Sequence, residues 1–181
     1  MKKETGRKLD KVALGGGCHW CTEAVFQSLK GVQKVEQGFV ASHGPNTHFS
    51  EAVIVHFDAQ QISLATLMEI HLYTHQSTSD HSMRAKYRSA VYTYSETQKT
   101  KASQLLNQFQ EVFGQQLITE ILPFANFKPS EEKFVNYFYN NPEKPFCKTY
   151  INPKLQWLMN KFAKELDATR LDSIELVKSI S

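Results

Sequence analysis

The chain reads as an α+β protein in which helices back a mostly antiparallel sheet. Three observations predict this. Short β-branched and aromatic runs (residues 32–41 and 52–57) alternate in mixed order with longer segments of helical spacing such as 63–75. A hydrophobic share of 41% over 181 residues supplies one sizeable core. No internal repeat or low-complexity stretch interrupts the pattern.

Residues 11–14 form a short strand that runs into Gly15-Gly16-Gly17. Residues 22–29 form a helix with Ala24, Val25 and Leu29 on one face, closed by Lys30-Gly31. Residues 32–41 and 52–57 are strands separated by the turn Ser42-His43-Gly44-Pro45-Asn46-Thr47. Helix 63–75 carries Leu64, Leu67, Met68 and Leu72 at helical spacing, and a polar loop follows at 77–82. Residues 87–94 read as a strand. Ser95 caps a long polar helix reaching Phe113, which Gly114 stops. Residues 117–122 form a further strand, ended by Pro123. Pro129-Ser130-Glu131-Glu132 opens a helix through Tyr139 that Pro142 and Pro145 break. Residues 153–181 read as one or two helices packing on the outside. The expected total is about five strands and four or five helices. The domain organisation expected is a catalytic unit over 1–155 with a helical extension, 156–181, packed on it.

The net charge of +3 is too small, and its lysines too scattered, to predict a nucleic-acid partner. No run approaches the length of a membrane span. The charged start, Lys2 to Lys8, lacks the apolar segment of a signal peptide. Three cysteines do not make a disulfide scaffold, so the expected setting is a reducing compartment, the cytoplasm.

Gly15-Gly16-Gly17-Cys18-His19-Trp20-Cys21-Thr22-Glu23 is the most informative stretch. It places Cys18 at a helix N-terminus, where unpaired N–H groups and the macrodipole favour a thiolate. A buried structural cysteine would not need three glycines before it. Cys21 adds a Cys-x-x-Cys spacing, open to a redox partner, half a metal site or a core cysteine. No second such pair and no paired histidines complete a zinc site, so no metal is expected. His71 and His75 share a helix face without the glutamate of a His-Glu-x-x-His motif. Trp20 suits either packing or the wall of an apolar pocket. Taken alone, Glu51 reads as an exposed strand-end carboxylate and Tyr87 as an ordinary strand residue.

The segment Gly17-Cys18-His19-Trp20-Cys21-Thr22-Glu23 resembles the Gly-Cys-Phe-Trp-x-x-Glu signature of A-type peptide methionine sulfoxide reductases. Gly38-Phe39, Ser50-Glu51-Ala52-Val53, His75, Tyr87-Arg88-Ser89-Ala90, Phe127-Lys128-Pro129-Ser130-Glu131 and Asn140-Asn141-Pro142 through Phe146-Cys147 are similar to further elements of that family, in order, from about Lys11 to about Leu155. The resemblance implies a two-layer α/β sandwich with a mixed sheet and a ferredoxin-like core. It implies that Cys18 attacks a sulfoxide sulfur, that Glu51 protonates its oxygen with Tyr87 hydrogen-bonding it, and that Trp20 holds the methyl group. Cys18 would then be left as a sulfenic acid, condense with a second thiol, and be recycled by thioredoxin, or by dithiothreitol in vitro, with no bound cofactor. Cys147 stands at a family resolving position and is favoured over Cys21, with a relay through both as the alternative. The substrate expected is methionine-S-sulfoxide, free or in proteins, and the protein is expected to be a monomer.

The chain departs from the family at several places. His19 replaces the phenylalanine of the methyl pocket, beside Trp20 and Phe39. The segment before Glu51 is short, and a second substrate tyrosine is missing. Counting back from Tyr87 puts the family's aspartate on Ser82, with Asp80 two residues away. Lys133-Phe134 stands for Tyr-His. Two other readings compete: a general thiol–disulfide oxidoreductase using Cys18 and Cys21, and a non-catalytic redox-sensing homologue.

Overall fold

The computed structural model describes residues 8–171. Its strands are β1 (Asp10–Gly15), β2 (Val32–Ala41), β3 (Ser50–Phe57), β4 (Ala90–Thr93), β5 (Glu120–Pro123) and β6 (Asn126–Pro129). Helix α1 (His19–Gln27) joins β1 to β2, α2 (Leu64–Thr74) joins β3 to β4, and α3 (Glu96–Val112) joins β4 to β5. Short α4 (Tyr137–Asn140), α5 (Asn152–Lys161) and α6 (Ala168–Leu171) follow.

All six strands form one sheet in the order β5-β4-β1-β3-β2-β6. The central strands β4-β1-β3-β2 are antiparallel neighbours, and α1 and α2 each cross between strands separated by one other. That is the split-βαβ arrangement of a βαββαβ unit. β5 lies parallel to β4 and makes the sheet mixed. Period-2 alternation divides the residues between two faces. Val12, Leu14, Val53, Val55 and Phe57 pack under α1 and α2, against Phe26, Leu67, Met68 and Ile70. Ala13, Ala52, Ile54, Ala90 and Tyr92 point to the other face, which Phe127 and the stacked pair Tyr94–Phe124, 4.5 Å apart, partly close. Ser63 and Ser95 start α2 and α3 by accepting the amides of Thr66 and Gln98 at 3.1 Å.

Three sequence expectations are corrected. The strand expected over 87–94 begins only at Ala90, because the backbone before it is already committed: Glu51 N–H and the Ser50 hydroxyl donate to the Lys86 carbonyl, Arg88 N–H donates to Ser50 Oγ, and the Arg84 guanidinium holds the Tyr87 carbonyl. A sixth strand, β6, pairs with β2 over four residues at the sheet edge. It is too short and polar to show alternation, and it ends in a proline, as edge strands tolerate. The helix expected over 129–139 is a 3₁₀ turn, Glu132–Phe134, then an extended Val135, then Asn136 in the left-handed region (φ 57°), and only then α4. A buried carboxylate, Glu23, imposes that break.

A single π-helical turn, Cys147–Ile151, leads into α5, whose Leu155 and Leu158 are buried in the same core as α1. The 155/156 boundary thus falls inside a helix. Leu166 bridges to Leu29. The rest of the expected C-terminal helix, and the start of the chain through Arg7, lie outside the described residues. Among the described residues, no helix is long and apolar enough to cross a membrane.

Candidate active site

The site is built where β1 ends and α1 begins. Cys18 is the N-cap of α1 with φ −57° and ψ 126°, and its carbonyl accepts the amides of Cys21 and Thr22 at 3.1 and 3.2 Å. Its sulfur makes no close capping bond, yet its thiol pKa lies below the ordinary value. The Cys21 thiol lowers it most, the Trp20 and Cys21 amides add to this, and burial and the Glu51 carboxylate oppose it. Cys21 moves the opposite way, held as a thiol by Cys18 and by burial. Of the pair, Cys18 is therefore the thiol that ionises first, and Cys21 stays protonated beside it.

The glycine turn allows close packing behind this cysteine. A Cβ on Gly15 would lie 3.0 Å from the carbonyls of Arg88 and Glu51, and one on Gly16 (φ +149°) would collide with the His75 ring. His71 Nε2 bonds the Gly15 carbonyl at 2.7 Å and His75 Nε2 bonds Ser89 Oγ at 2.8 Å. Burial pushes His71 down to about 4 and His75 well below its ordinary value, so both are neutral braces. Arg84 donates to the carbonyls of Gly16 and Tyr87 at 2.8 and 2.9 Å, tying the glycine turn to the Tyr87 loop.

Glu51 sits at the start of β3, opposite Phe39 on β2, and only 7% of it is exposed. Burial pushes its carboxyl up to about 7, against the smaller lowering effects of Lys86 and the Tyr87 hydroxyl. Oε1 lies 3.0 Å from His19 Nε2, while the buried Oε2 has no hydrogen-bond partner. His19 is itself buried, its Nδ1 2.9 Å from the Gly38 carbonyl and its ring edge-on to Phe39 at 5.2 Å. Burial and Lys86 lower its pKa.

Beside Cys18 lies an open cavity of about 350 Å³, lined among others by Cys21, His81, Met83, Tyr87, Phe146 and Tyr150. Trp20 does not line it. The indole is stacked flat on Tyr137 (4.0 Å, 4°) and meets Phe146 edge-on at 5.2 Å. Glu23 holds this cover in place: its carboxylate, fully buried, accepts from Gln37 and from the amides of Asn136 and Tyr137 at 3.0–3.1 Å. Cys147, one residue beyond Phe146, is buried with its thiol 3.6 Å from the Asn141 carbonyl, and it acts on the ionisation of Cys21.

Of the residues singled out from the sequence, Cys18, Cys21, His19, Phe39, Glu51, Tyr87 and Cys147 converge. Asp80 and Ser82 do not: both are exposed and neither lines the cavity. Instead His81 and Met83, of the same loop, line it. Sequence reasoning missed Arg84 and Glu23 as organisers. The glutamate of the Cys-motif was visible as a carboxylate one turn from Trp20 and Phe26, a signal that a buried partner had to exist.

An activated thiol facing a carboxyl that is still protonated near neutrality defines a site for nucleophilic sulfur chemistry assisted by an acid. The chain belongs to the peptide methionine sulfoxide reductase family: the family profile of that description matches residues 10–166. A peptide methionine sulfoxide reductase MsrA of Deinococcus radiodurans is 35% identical over 179 residues, covering 90% of this chain and 87% of that protein. Its counterpart in Trichodesmium erythraeum is 35% identical over 176 residues, covering 88% and 99%. Among solved structures, the fold resembles Mxr1 from Saccharomyces cerevisiae in reduced form (TM-score 0.71, 22% identity, 82% of this chain and 94% of that one). It also resembles methionine sulfoxide reductase A of Corynebacterium diphtheriae (TM-score 0.66, 23% identity, 78% of each). A third neighbour is Mxr1 in complex with Trx2 (TM-score 0.59, 21% identity, 74% and 88%).

Proposed function

We propose that this protein reduces the S epimer of methionine sulfoxide, free or in proteins, to methionine. The observation that carries the reading is the opposed ionisation of Cys18 and Glu51: a thiol pushed towards its anion and a carboxyl held neutral, each within reach of the other's charge. Sulfoxide reduction needs both at once. The Cys18 thiolate attacks the sulfoxide sulfur while Glu51 and Tyr87 hydrogen-bond its oxygen. One proton goes to that oxygen, the bond between methionine sulfur and oxygen breaks, and Cys18 keeps the oxygen as sulfenic acid. Methionine leaves with the electron pair that the thiolate supplied.

The sulfenic acid is resolved by Cys21, whose thiol contacts Cys18, with loss of one water and formation of a disulfide. Cys147 follows as the second thiol, exchanging onto Cys21. This order differs from the sequence preference for Cys147 as first resolver, and the Cys18–Cys21 contact supports it. A thioredoxin-type dithiol in the cytoplasm then restores the thiols, as the Mxr1 complex with Trx2 suggests by analogy. The substrate's methyl group rests on Phe146, Tyr150 and Met83, because Tyr137 already covers Trp20. No metal or organic cofactor enters the cycle, and the protein works as a monomer.

The test is a methionine-release assay on both sulfoxide epimers with dithiothreitol as reductant. Turnover of the S epimer alone is expected. Trapping with a sulfenic-acid reagent after one turnover is expected to label Cys18 in Cys21→Ser and not in Cys147→Ser. Absence of turnover with either epimer, in a protein whose Cys18 alkylates rapidly, removes the reading. Reduction of insulin that depends on Cys21 would favour the thiol–disulfide oxidoreductase alternative.

A further inference from the structure

We propose that His19 is a positioning residue for Glu51: by presenting a bare ring nitrogen to Oε1, it decides which carboxyl oxygen holds the proton and hence the pH range in which Glu51 serves as an acid. The inference rests on the reductase reading above. It concerns a residue that takes the place of a phenylalanine, so an apolar wall has become a hydrogen-bonding partner.

The geometry leaves one arrangement for a neutral His19. A backbone carbonyl only accepts, so Nδ1, 2.9 Å from Gly38 O, carries the ring hydrogen. Nε2 then has only a lone pair, and it lies 3.0 Å from Glu51 Oε1. A protonated Glu51 satisfies that contact by placing its proton on Oε1. The substrate, however, needs a donor at the other oxygen. Oε2 is the buried oxygen without a partner, the place left for a sulfoxide oxygen. Moving the single proton to Oε2 sets two lone pairs against each other across 3.0 Å. A second proton resolves the conflict: Nε2–H then donates to Oε1 and Oε2–H faces the substrate.

The other ionisable groups facing the pair are Cys18 on α1 and Lys86 and Tyr87 on the loop before β4, while β2 contributes only the Gly38 carbonyl and Phe39. Burial and the Lys86 ammonium both oppose the second proton. The acid-competent form of the pair therefore belongs to lower pH than the first titration of Glu51 suggests, and the apparent pKa values belong to the two residues jointly.

Single-turnover rates at saturating methionine sulfoxide, measured from about pH 5 to pH 9, test this in wild type, His19→Phe and His19→Met, with circular dichroism confirming the fold. Cys18 ionisation sets a common rising limb. The falling limb is expected about one pH unit or more higher in both variants, so that near neutrality they outrun the wild type several-fold. Superimposable limbs, or limbs displaced downwards, overturn the proposal. Nitrogen–proton NMR of the His19 ring, assigned by its loss in His19→Phe, gives a reading independent of turnover. Hydrogen on Nδ1 in the neutral ring supports the proposal, and hydrogen on Nε2 overturns it. If neither epimer is reduced, the reductase reading falls, and the tautomer still decides for or against the arrangement.

Discussion

The floor of the site and its cover are built by different means. The floor, β1 through β3 with α1, is held by sheet ladders and by the packing of Leu14, Val25, Phe26 and Val53. The cover, from Glu131 to Ile151, has a 3₁₀ turn, one left-handed residue, a four-residue helix and a π-helical turn. It is held by side chains reaching into its backbone, above all Glu23. The floor fixes where Cys18 and Glu51 stand. The cover sets what stands over Trp20 and where Cys147 waits. Regular structure thus holds Cys18, Cys21 and Glu51, and irregular structure holds Cys147.

That comparison can be broken at several points. The largest effect belongs to the floor. Cys18→Ser is expected to abolish methionine release, and Glu51→Gln to lower the single-turnover rate by about 10²–10⁴-fold with an unchanged circular dichroism spectrum. A Glu51→Gln enzyme at near wild-type rate would move the acid elsewhere.

Next comes the tie between the two regions. Glu23→Ala leaves two half-buried amides without an acceptor, while Gln37 keeps the Phe134 carbonyl, a loss of about 1–3 kcal/mol for each amide left unsatisfied. Urea unfolding should show it. Hydrogen exchange should accelerate in residues 134–150 while β1 and β3 stay protected. Uniform acceleration would mean that the cover is not a separate unit.

A smaller effect follows from Glu51. Its carboxyl is pushed from an ordinary 4.5 up to about 7, so the native state holds a proton that the unfolded chain has released in that window. Stability is lost as pH rises through it. Glu51→Gln removes the slope: its Tm should exceed the wild type's by a few degrees at about pH 8, with the gap closing by about pH 5. The smallest effect is at Asn136, whose φ of 57° suits glycine or asparagine. Asn136→Ala should cost about 1–2 kcal/mol and Asn136→Gly clearly less, read as urea midpoints.

The same division explains what was legible in the sequence. The floor declared itself: β2 was expected over the residues it occupies, α2 was marked by its helical spacing and α3 by its capping serine, and the glycines before Cys18 announced a thiol at a helix end. Glu51 and Tyr87 were legible only through the family resemblance, since nothing local distinguishes a strand-end glutamate that is buried from one that is not. The cover misled. Glu131-Glu132 after a proline carries helix-start chemistry, but the distant Glu23 claims the amides of Asn136 and Tyr137, and that contact overrides local propensity. Asp80 and Ser82 lie outside the cavity for a related reason: counting residues back from Tyr87 does not say which way a loop turns, and here His81 and Met83 line it instead.

The stacking of Trp20 on Tyr137 has one more consequence. The chain has two tryptophans, and the other, Trp157, lies on α5 beside Phe162. Trp20 is two residues from the nucleophile and touches Phe146, the neighbour of Cys147. Any shift of the Cys147 turn changes what surrounds its indole, and with it the colour and yield of its emitted light. Oxidation that draws Cys147 towards Cys21 is therefore expected to register in that light, and with Trp157→Phe as background the redox cycle can be followed in real time without a label.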